Sequence, residues 1–460
     1  MYSISIDEIK EKVAKRNRRN DISIQKLELE NLNVKEITNE FGERLTRVDG
    51  EIPVDLEIEK GKRFLFISYD QSKFTHNLHK YPAKFFPELP RWLIKKYSNE
   101  FDLILDPFSG SGTTNIEALL NKRHSVGIDI DIFANYLAKV KTTELETIDL
   151  KNTNEYLLNT IIKFKKEKVN TKDIPVFPYQ DNWFNQDITD ELAFIKKSID
   201  ELEADQKIKD FYNICFSSII RSVSNADDNC TRTVIRKRLN KQVFPSQALT
   251  SFVEAVLLNT FKINEFSINK PKNIIIDFPN THDARKINYP NEFFNLAITS
   301  PPYVNAVDYP RTHQLEIYWL GFANGSLTPF KEKHIGTESV KATHYKNLHI
   351  IGEKFADEKI NKIFQKDPRR AYICYKYLFD MNENLKEVFR VLKKDGRYII
   401  VIGNNKIRGE IFESWKYLMN LSEKIGFTVE NYFGSEIIKH FIKVPREERI
   451  NTDWIIILKK

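Results

Sequence analysis

Strand-like and helix-like stretches alternate near the start of the region 65–145. The apolar run Leu103–Leu105 predicts a short buried strand, and Thr114–Leu120 predicts a helix after a Gly-Ser-Gly turn. The next stretches, "HSVGIDI" and "IFANYLAKV", repeat the order of strand and helix. This alternation indicates a mostly parallel α/β sheet.

The same pattern resumes in the region 271–460. There "KNIIIDF" and "FFNLAITS" predict strands, and "YKYLFDMNENLKEVFRVLKKDGRYIIVIGN" predicts a helix, an Asp-Gly turn and a strand. The stretches "FTVENYFGSEII" and "NTDWIIILKK" predict an antiparallel hairpin at the edge of the sheet. The two regions are therefore expected to build one sheet.

Residues 146–270 interrupt the strand pattern. They are charged and irregular, with long helix candidates in "DELAFIKKSIDELEADQKIKDFYNICFSSIIR" and "PSQALTSFVEAVLLNTFKINEF". Insertions of this length between core elements usually carry function. We expect a charged helical extension at 1–64, two halves of a core at 65–145 and 271–460, and a largely helical inserted region at 146–270.

Composition narrows the class of protein. The chain has 460 residues, 41% hydrophobic and 29% charged, as in ordinary globular proteins. No run approaches the roughly eighteen apolar residues of a membrane helix, and the first residues show no apolar signal core. Its three cysteines are Cys215, Cys230 and Cys374, which form no CxxC pair. These features predict a cytoplasmic protein without a membrane segment or a metal site.

A net charge of +7 is compatible with a nucleic-acid partner. Basic residues cluster at 10–19, 163–168 and 232–241, and each cluster taken singly is also typical of a solvated helix face. The third cluster supplies our candidates for phosphate or groove contacts. These candidates are Arg232, Arg236, Lys237 and Arg238.

The stretch "DPFSGSGTT" joins a predicted strand to a predicted helix. Its glycines let the backbone approach a ligand closely, although a tight turn without a ligand would use them too. No GxxxxGK[ST] sequence is present, so the loop is not built for a triphosphate. Asp129 follows at about the 20-residue spacing at which a carboxylate binds ribose hydroxyls. Because Asp106 favours a cationic or zwitterionic ligand, S-adenosylmethionine fits this loop.

Asp283 in "HDAR" is a third element of this candidate site. It follows one predicted strand and shortly precedes another, where its carboxylate would accept a hydrogen bond from the exocyclic amine of adenine. A helix cap or turn aspartate is an equal alternative for this position.

These motifs together resemble the amino-methyltransferases of DNA. "DPFSGSGTT" resembles the cofactor loop of that family, "SPPY" (300–303) its catalytic loop, and Asp129 and Asp283 match its ribose and adenine positions. The segment "THNLHKYPAKFFP" is similar to the part that closes over the methionine end of the cofactor. The resemblance covers about 65–145 and 270–460, whereas the insert matches no segment that we can name. One departure is Asn295, where the family commonly has aspartate.

The resemblance implies a Rossmann-like, mostly parallel seven-stranded sheet with a C-terminal antiparallel hairpin. It also implies the residues that bind the cofactor. These are Tyr81, Pro82, Asp106, Pro107, Phe108, Gly110, Gly112, Thr113, Asp129 and Asp283. Near the first two, His76, His79 and Lys80 either line the cofactor or belong to a surface loop.

The catalytic residues implied by the resemblance are Ser300, Pro301, Pro302 and Tyr303. An exocyclic amine is a poor nucleophile because its lone pair is delocalised into the base. The Ser300 hydroxyl and the Pro301 carbonyl are suited to accept its hydrogens, since prolines keep that carbonyl out of secondary structure. Tyr303 offers a face on which a flipped base can stack.

The expected activity is site-specific DNA methylation, with double-stranded DNA as substrate and a bacterial restriction–modification setting. Serine at position 300 is more typical of cytosine-N4 than of adenine-N6 enzymes, and adenine-N6 methylation stays an alternative. Methylation of structured RNA and a catalytically silent DNA-binding subunit are further alternatives. Carbon-5 methylation would need a cysteine nucleophile beside the cofactor, which the sequence lacks. This interpretation is also compatible with a cognate restriction endonuclease as a partner.

Two other groups of residues have two interpretations each. Asp308, Arg311 and His313 could contact the target backbone or form a salt-bridged helix start. Arg221, Ser224 and Asn225 could reach DNA, although a helix-capping role is favoured. The insert at 146–270 is our candidate target-recognition domain, and residues 322–370 could assist it.

Overall fold

The computed structural model describes residues 6–13, 34–38, 42–165, 169–279, 283–304, 307–437 and 452–460. The strands within these ranges are β1 (Val34–Thr38), β2 (Arg44–Asp49), β3 (Arg63–Ile67), β4 (Leu103–Asp106), β5 (His124–Gly127), β6 (Ile276–Asp277), β7 (Phe294–Thr299), β8 (Leu392–Gly403), β9 (Asn405–Ile407), β10 (Glu410–Phe412), β11 (Thr428–Glu436) and β12 (Thr452–Lys459). Ten of them form one sheet in the order β1-β2-β3-β11-β12-β8-β7-β4-β5-β6, and β9 and β10 form a separate hairpin.

Helices cover the sheet and build the inserted region. They are α1 (residues 6–13), α2 (Glu88–Tyr97), α3 (Thr113–Leu120), α4 (Ile132–Thr142), α5 (Thr147–Ile161), α6 (Gln180–Trp183), α7 (Gln186–Asp200), α8 (Gln206–Ile220), α9 (Gln247–Asn269), α10 (Tyr309–Thr312), α11 (Gln314–Trp319), α12 (Thr328–Lys333), α13 (Lys354–Phe364), α14 (Pro368–Val391) and α15 (Ser414–Ile425). Among the described residues, no helix is both long and apolar enough to cross a bilayer.

The centre of the sheet is parallel, which confirms the predicted α/β class. β4 pairs in parallel with β5 and β7, and β7 pairs in parallel with β8. Consecutive strand residues are buried on opposite faces: Ile104 and Ile298 pack on one side, Leu105 and Ala297 on the other. Such two-sided burial explains why these strands read as unbroken apolar runs.

The sheet differs from the sequence prediction at one side. β12 pairs antiparallel with both β11 and β8, as a C-terminal hairpin should. The hairpin is nevertheless not at the edge, because β3 pairs in parallel with β11 and carries β2 and β1 beyond it. The prediction of an edge hairpin was therefore wrong. The extension, expected to be helical, contributes two strands to the sheet besides α1.

The helices of the inserted region share a hydrophobic core with the sheet-covering helices. Leu157 of α5, Phe211 of α8 and Phe252 of α9 belong to the same buried cluster as Phe133 of α4 and Trp319 of α11. The stretch predicted as one long helix from residue 190 forms α7 and α8, with a break at 201–205. A single helix of that length would extend about 48 Å. The break allows α8 to pack back against α7, so that both halves bury their apolar faces.

Candidate functional site

A cleft lies where the carboxyl ends of β4, β5 and β7 meet. The chain leaves β4 towards β5 on one side and returns to β7 on the other, so this is the switch point at which open α/β sheets bind ligands. The cleft encloses about 790 Å³ of space, part of it open to solvent. Its walls include Tyr81, Lys84, Asp106, Pro107, Phe108, Gly110, Thr113, Asp129, Asp283, Arg285, Ser300, Pro302, Tyr309, Lys333 and His334.

The glycine loop between β4 and α3 is tightly constrained. Gly110 and Gly112 have φ angles of 48° and 79°, in the left-handed region that favours glycine. A Cβ on Gly112 would lie 3.0 Å from the Cβ of Ala138, so α4 packs directly against the loop. A Cβ on Gly110 would lie 3.5 Å from Cε1 of Tyr81 on the opposite wall. These glycines allow the backbone to pass between the two walls.

A buried lysine supports the loop from behind. Nζ of Lys141 donates a hydrogen bond to the carbonyl oxygen of Ser111 at 2.7 Å. Burial holds the pKa of Lys141 well below its usual value. This contact connects the end of α4 to the glycine loop and so helps to fix the turn.

Asp129 is held by the backbone on both sides. Its Oδ2 accepts from the N–H of Gly110 at 2.8 Å, and its Oδ1 accepts from the N–H of Asp131 at 2.9 Å. Burial and the neighbouring Asp131 raise the pKa of Asp129 to about 6. Asp131 itself lies 3.5 Å from the His334 ring, and that contact outweighs burial to lower the pKa of Asp131.

Asp106 connects the ends of β4 and β7. Its Oδ1 accepts from Thr299 Oγ1 at 2.6 Å and from the N–H of Phe108 at 3.1 Å. Burial raises the pKa of Asp106 to about 6 despite these hydrogen bonds. Two carboxyl groups with raised pKa values therefore face the cleft, where a cationic ligand would favour their charged forms.

Aromatic rings stack along the wall opposite the glycine loop. The Tyr81 ring lies between those of His313, with centroids 5.0 Å apart, and Tyr309, with centroids 5.8 Å apart. His313 is buried, and burial lowers its pKa to about 3, so the ring is neutral. Pro82, the neighbour of Tyr81, is not among the residues that line the cleft.

Asp283 is engaged in an ion pair at the rim. Its carboxylate accepts from Nε of Arg285 at 2.9 Å and from Nη2 of Arg285 at 2.8 Å. Arg285 also donates to Asp380 on α14 at 3.1 Å. This arrangement orients the Asp283 carboxylate while leaving lone pairs for a further donor.

The loop after β7 enters the cleft at Ser300 and Pro302, whereas Pro301 is buried. Tyr303 is half-buried and does not line the cleft, and its hydroxyl donates to Oδ1 of Asp453 on β12 at 2.6 Å. Burial raises the pKa of Asp453 to about 6. Asn305 and Ala306 of the same motif lie outside the described residues.

The cleft residues fit a nucleoside ligand that carries a cation. Buried hydroxyls of Ser109 and Ser111 have no hydrogen-bond partner within the described part of the chain, and both residues line the cleft. Asp129 supplies a carboxylate beyond the end of β5, and the lack of a side chain at Gly110 leaves the backbone of the loop accessible beside Tyr81. Lys84, whose pKa burial lowers to about 8, lies on the same wall.

The predicted basic residues do not line the cleft. Arg232, Lys237 and Arg238 are exposed, and Nε of Arg236 lies 3.3 Å from Oδ2 of Asp227. Thr233, within the same segment, donates its hydroxyl to the carbonyl oxygen of Thr312 at 2.6 Å. The basic segment is thus attached to the helix that follows the loop at Ser300.

Several residues with two sequence interpretations have structural contacts. His76 is buried against Glu117, with Nε2 and Oε1 2.7 Å apart, and His79 is buried against Phe133. Asp308 caps α10 and pairs with Lys331 at 2.9 Å. Ser224 donates to the carbonyl oxygen of Arg221 at 2.8 Å, as a residue at a helix end does.

Sequence reasoning missed four polar residues near the site. Lys84 and Thr299 lie within or beside predicted motifs, so their positions in the sequence could have indicated that they are near the site. His334 comes from an irregular segment, and Asp453 is separated from Tyr303 by 150 positions, so local sequence patterns give no sign of either contact.

Known proteins are similar to this chain both near its start and over most of its length. A family model described as DNA methylase matches residues 3–140. The Type II methyltransferase M.MvaI of Kocuria varians is 25% identical over 368 residues, covering 75% of this chain and 80% of that protein. The Type II methyltransferase M.BsoBI of Geobacillus stearothermophilus is 24% identical over 448 residues, with 85% and 86% covered. A solved SAM-dependent methyltransferase from Methanosarcina mazei is 12% identical, with 83% of this chain and 98% of that chain covered and a TM-score of 0.28.

Proposed function

The family match and the Type II relatives support membership of this chain in the amino-group DNA methyltransferase family, and from that premise we propose that it methylates the N4 amine of cytosine at a specific DNA site. The methyl donor is S-adenosylmethionine, which supplies an electrophilic methyl group on a sulfonium when bound. The setting is a restriction–modification system.

One observation carries this proposal. Ser300 and Pro302 of the catalytic loop line the same cleft as Gly110 and Asp129 of the glycine loop. Acceptors for an amine and a pocket for a cationic nucleoside are therefore adjacent, which is the arrangement that transfer between the two requires.

The proposed chemistry depends on positioning. The Ser300 hydroxyl and the Pro301 carbonyl accept the hydrogens of the target amine, so that its nitrogen becomes more tetrahedral and its lone pair is available. Tyr303 stacks on the flipped base, and its hydrogen bond to Asp453 holds the ring in one orientation. No side chain needs to act as a nucleophile: the amine nitrogen would form the new bond to the methyl carbon as the bond from that carbon to the sulfonium sulfur breaks, leaving a neutral thioether, and the methylated nitrogen would then lose its proton to water.

Cofactor binding is assigned to the opposite part of the cleft. Asp129 takes the ribose hydroxyls, Asp283 takes the adenine amine, and Asp106 faces the cationic end. The remaining contacts come from the backbone and side chains of Tyr81, Pro107, Phe108, Gly110 and Thr113, whereas Pro82 and Gly112 lie outside the cleft lining and support their neighbours. Arg232, Arg236, Lys237 and Arg238 contact DNA.

The experiment is nucleoside mass spectrometry of DNA incubated with the purified protein and S-adenosylmethionine, followed by sequencing to map the modified positions. We expect N4-methylcytosine from the wild type and a loss of at least about a hundredfold in Tyr303→Ala, because the base loses its stacking platform. Tyr156→Ala is the matched control, since Tyr156 is 65% exposed on α5.

The other outcomes discriminate between alternatives. N6-methyladenine would preserve the mechanism and overturn the assignment of cytosine from Ser300. Modification of RNA and not of DNA would identify RNA as the substrate and overturn the proposed DNA substrate. Cofactor binding without any modified base would indicate the silent DNA-binding subunit.

A further inference from the structure

A loop of the inserted region is rigid at its base. The base comprises residues 226–234, and the Arg221 guanidinium donates to the carbonyl oxygens of Asp227, Cys230 and Thr231. From the other side, Nζ of Lys241 donates to the carbonyl oxygen of Ala226 at 3.0 Å. The segment between these two anchors, residues 235–240, is called here the loop tip.

The base of the loop is joined to both walls of the cleft. The buried Thr233 hydroxyl donates to Thr312 of α10, the helix that begins at the cleft residue Tyr309. Nζ of Lys80, the neighbour of Tyr81, donates to the carbonyl oxygen of Asp228 at 2.8 Å. A DNA strand whose base enters the cleft would therefore run close to this loop.

The loop tip combines exposed apolar and cationic side chains. Ile235 is 37% exposed and Leu239 is 50% exposed, while Lys237 and Arg238 between them are also exposed. The sequence has no acidic residue between Asp228 and Glu254. Cations beside exposed apolar groups suit an occupant that offers phosphates outside and stacked apolar surface inside, which is duplex DNA.

Leu239 is the more exposed of the two apolar residues of this tip. It ends the 3-10 helix Lys237–Leu239, and Asn240 then reverses the chain with a φ of 43°. Transfer of the Leu239 side chain from water to an apolar site is favourable in free energy. The space that a flipped base leaves between base pairs is an apolar site of suitable size.

We propose that Leu239 is a wedge residue that enters the DNA stack beside the target base and occupies the space left when that base turns into the cleft. Lys237 and Arg238 contact the flanking phosphates. The inference rests on the proposed function and extends it to the step that precedes methyl transfer.

The test compares two substrates that carry the mapped site. In one, the target base is paired, and in the other it lies opposite an abasic position, where extrusion costs less. For L239A we expect methylation of the paired substrate to fall by about ten- to a hundredfold, and methylation of the unpaired substrate to stay within about twofold of wild type. L239M, which keeps an apolar side chain of similar length, should recover most of the loss.

The matched control is I268A, because Ile268 is 76% exposed at the end of α9, outside the loop. It should methylate both substrates as the wild type does. Equal loss of L239A activity on both substrates, or no loss on either, would overturn the wedge while the proposed function stands. A wild type that modifies no DNA would overturn both, and the mapping step would already show this.

Discussion

Asp129 shows how burial prepares a single side chain for a ligand. Its carboxylate accepts two backbone N–H groups, yet burial beside Asp131 still raises its pKa to about 6. Such a group is mostly charged at pH 7 and mostly neutral at pH 5. The nearby Asp106 behaves in the same way.

The affinity for S-adenosylmethionine should therefore depend on pH. Because a raised pKa leaves the carboxyl groups protonated below about pH 6, we expect Kd to rise at least about tenfold between pH 7 and pH 5. Titration calorimetry measures this directly. In Asp129→Asn, binding should be weaker at pH 7 and the profile shallower, whereas Asp181→Asn, on the exposed Asp181, should follow the wild type. A flat wild-type profile would contradict the assignment of these carboxylates to the cofactor.

At the scale of elements, the turn between β4 and α3 sets the geometry of the cleft. Gly112 combines a φ of 79° with close packing against Ala138, while Gly409 has a similar φ of 82° and no neighbour within 4 Å of an added Cβ. Alanine substitutions at these two glycines therefore distinguish the energetic cost of backbone strain from the cost of a steric conflict between two elements.

Gly112→Ala should destabilise the protein by about 1–3 kcal/mol, because it adds a steric conflict with α4 to the strain of a left-handed alanine. It should also weaken cofactor binding, since the turn must shift. Gly409→Ala should cost only about 1 kcal/mol and leave that affinity unchanged. Chemical denaturation and calorimetry measure both effects. Equal destabilisation in the two variants would show that α4 shifts to accommodate the added Cβ at little cost in free energy.

Elements with a strong local signal were predictable from sequence. The runs around Leu105, Ile298 and Ile400 are buried on both faces, and a buried strand needs no polar alternation. β1 and β2 were missed because they extend the sheet at its exposed side with the charged sequences "VKEIT" and "RLTRVD", which resemble solvated helix.

The contacts of the candidate site also divide into those that local sequence motifs indicate and those that they do not. The glycine loop and the loop at Ser300 are local motifs that the sequence shows directly, and both line one cleft in the structure. The contacts of Tyr303 with Asp453 and of Asp131 with His334 depend on tertiary packing between distant segments. Periodicity and motif spacing carry no information on such pairs.

At the scale of the whole molecule, the inserted helices are part of the core. Phe133 and Leu137 of α4 pack in one cluster with α5, α8 and α9, so the insert covers an apolar face of the sheet layer. Its removal would expose that face to water at a cost that an α/β core of this size does not tolerate.

Replacing residues 147–269 by a short Gly-Ser linker should abolish the cooperative thermal transition. The expected product aggregates or binds hydrophobic dyes, because α3 and α4 lose their cover. Circular dichroism during heating, compared with the full chain, measures the outcome. A deletion variant that still unfolds cooperatively would show that the core and the insert are independent units.

The hydrogen bond between Asp106 and Thr299 closes a loop of 193 positions in the sequence. The entropy of closing such a loop grows only with the logarithm of its length, so doubling it costs about 0.6 kcal/mol. Lengthening an exposed tip of the insert, such as 235–240, should therefore cost the contact between Asp106 and Thr299 almost no stability, although it would change how the proposed wedge meets DNA. The buried side that packs against α4 and the contacts of Thr233 and Lys80 restrict such changes, whereas the exposed side is free to vary while the cleft beneath keeps its shape.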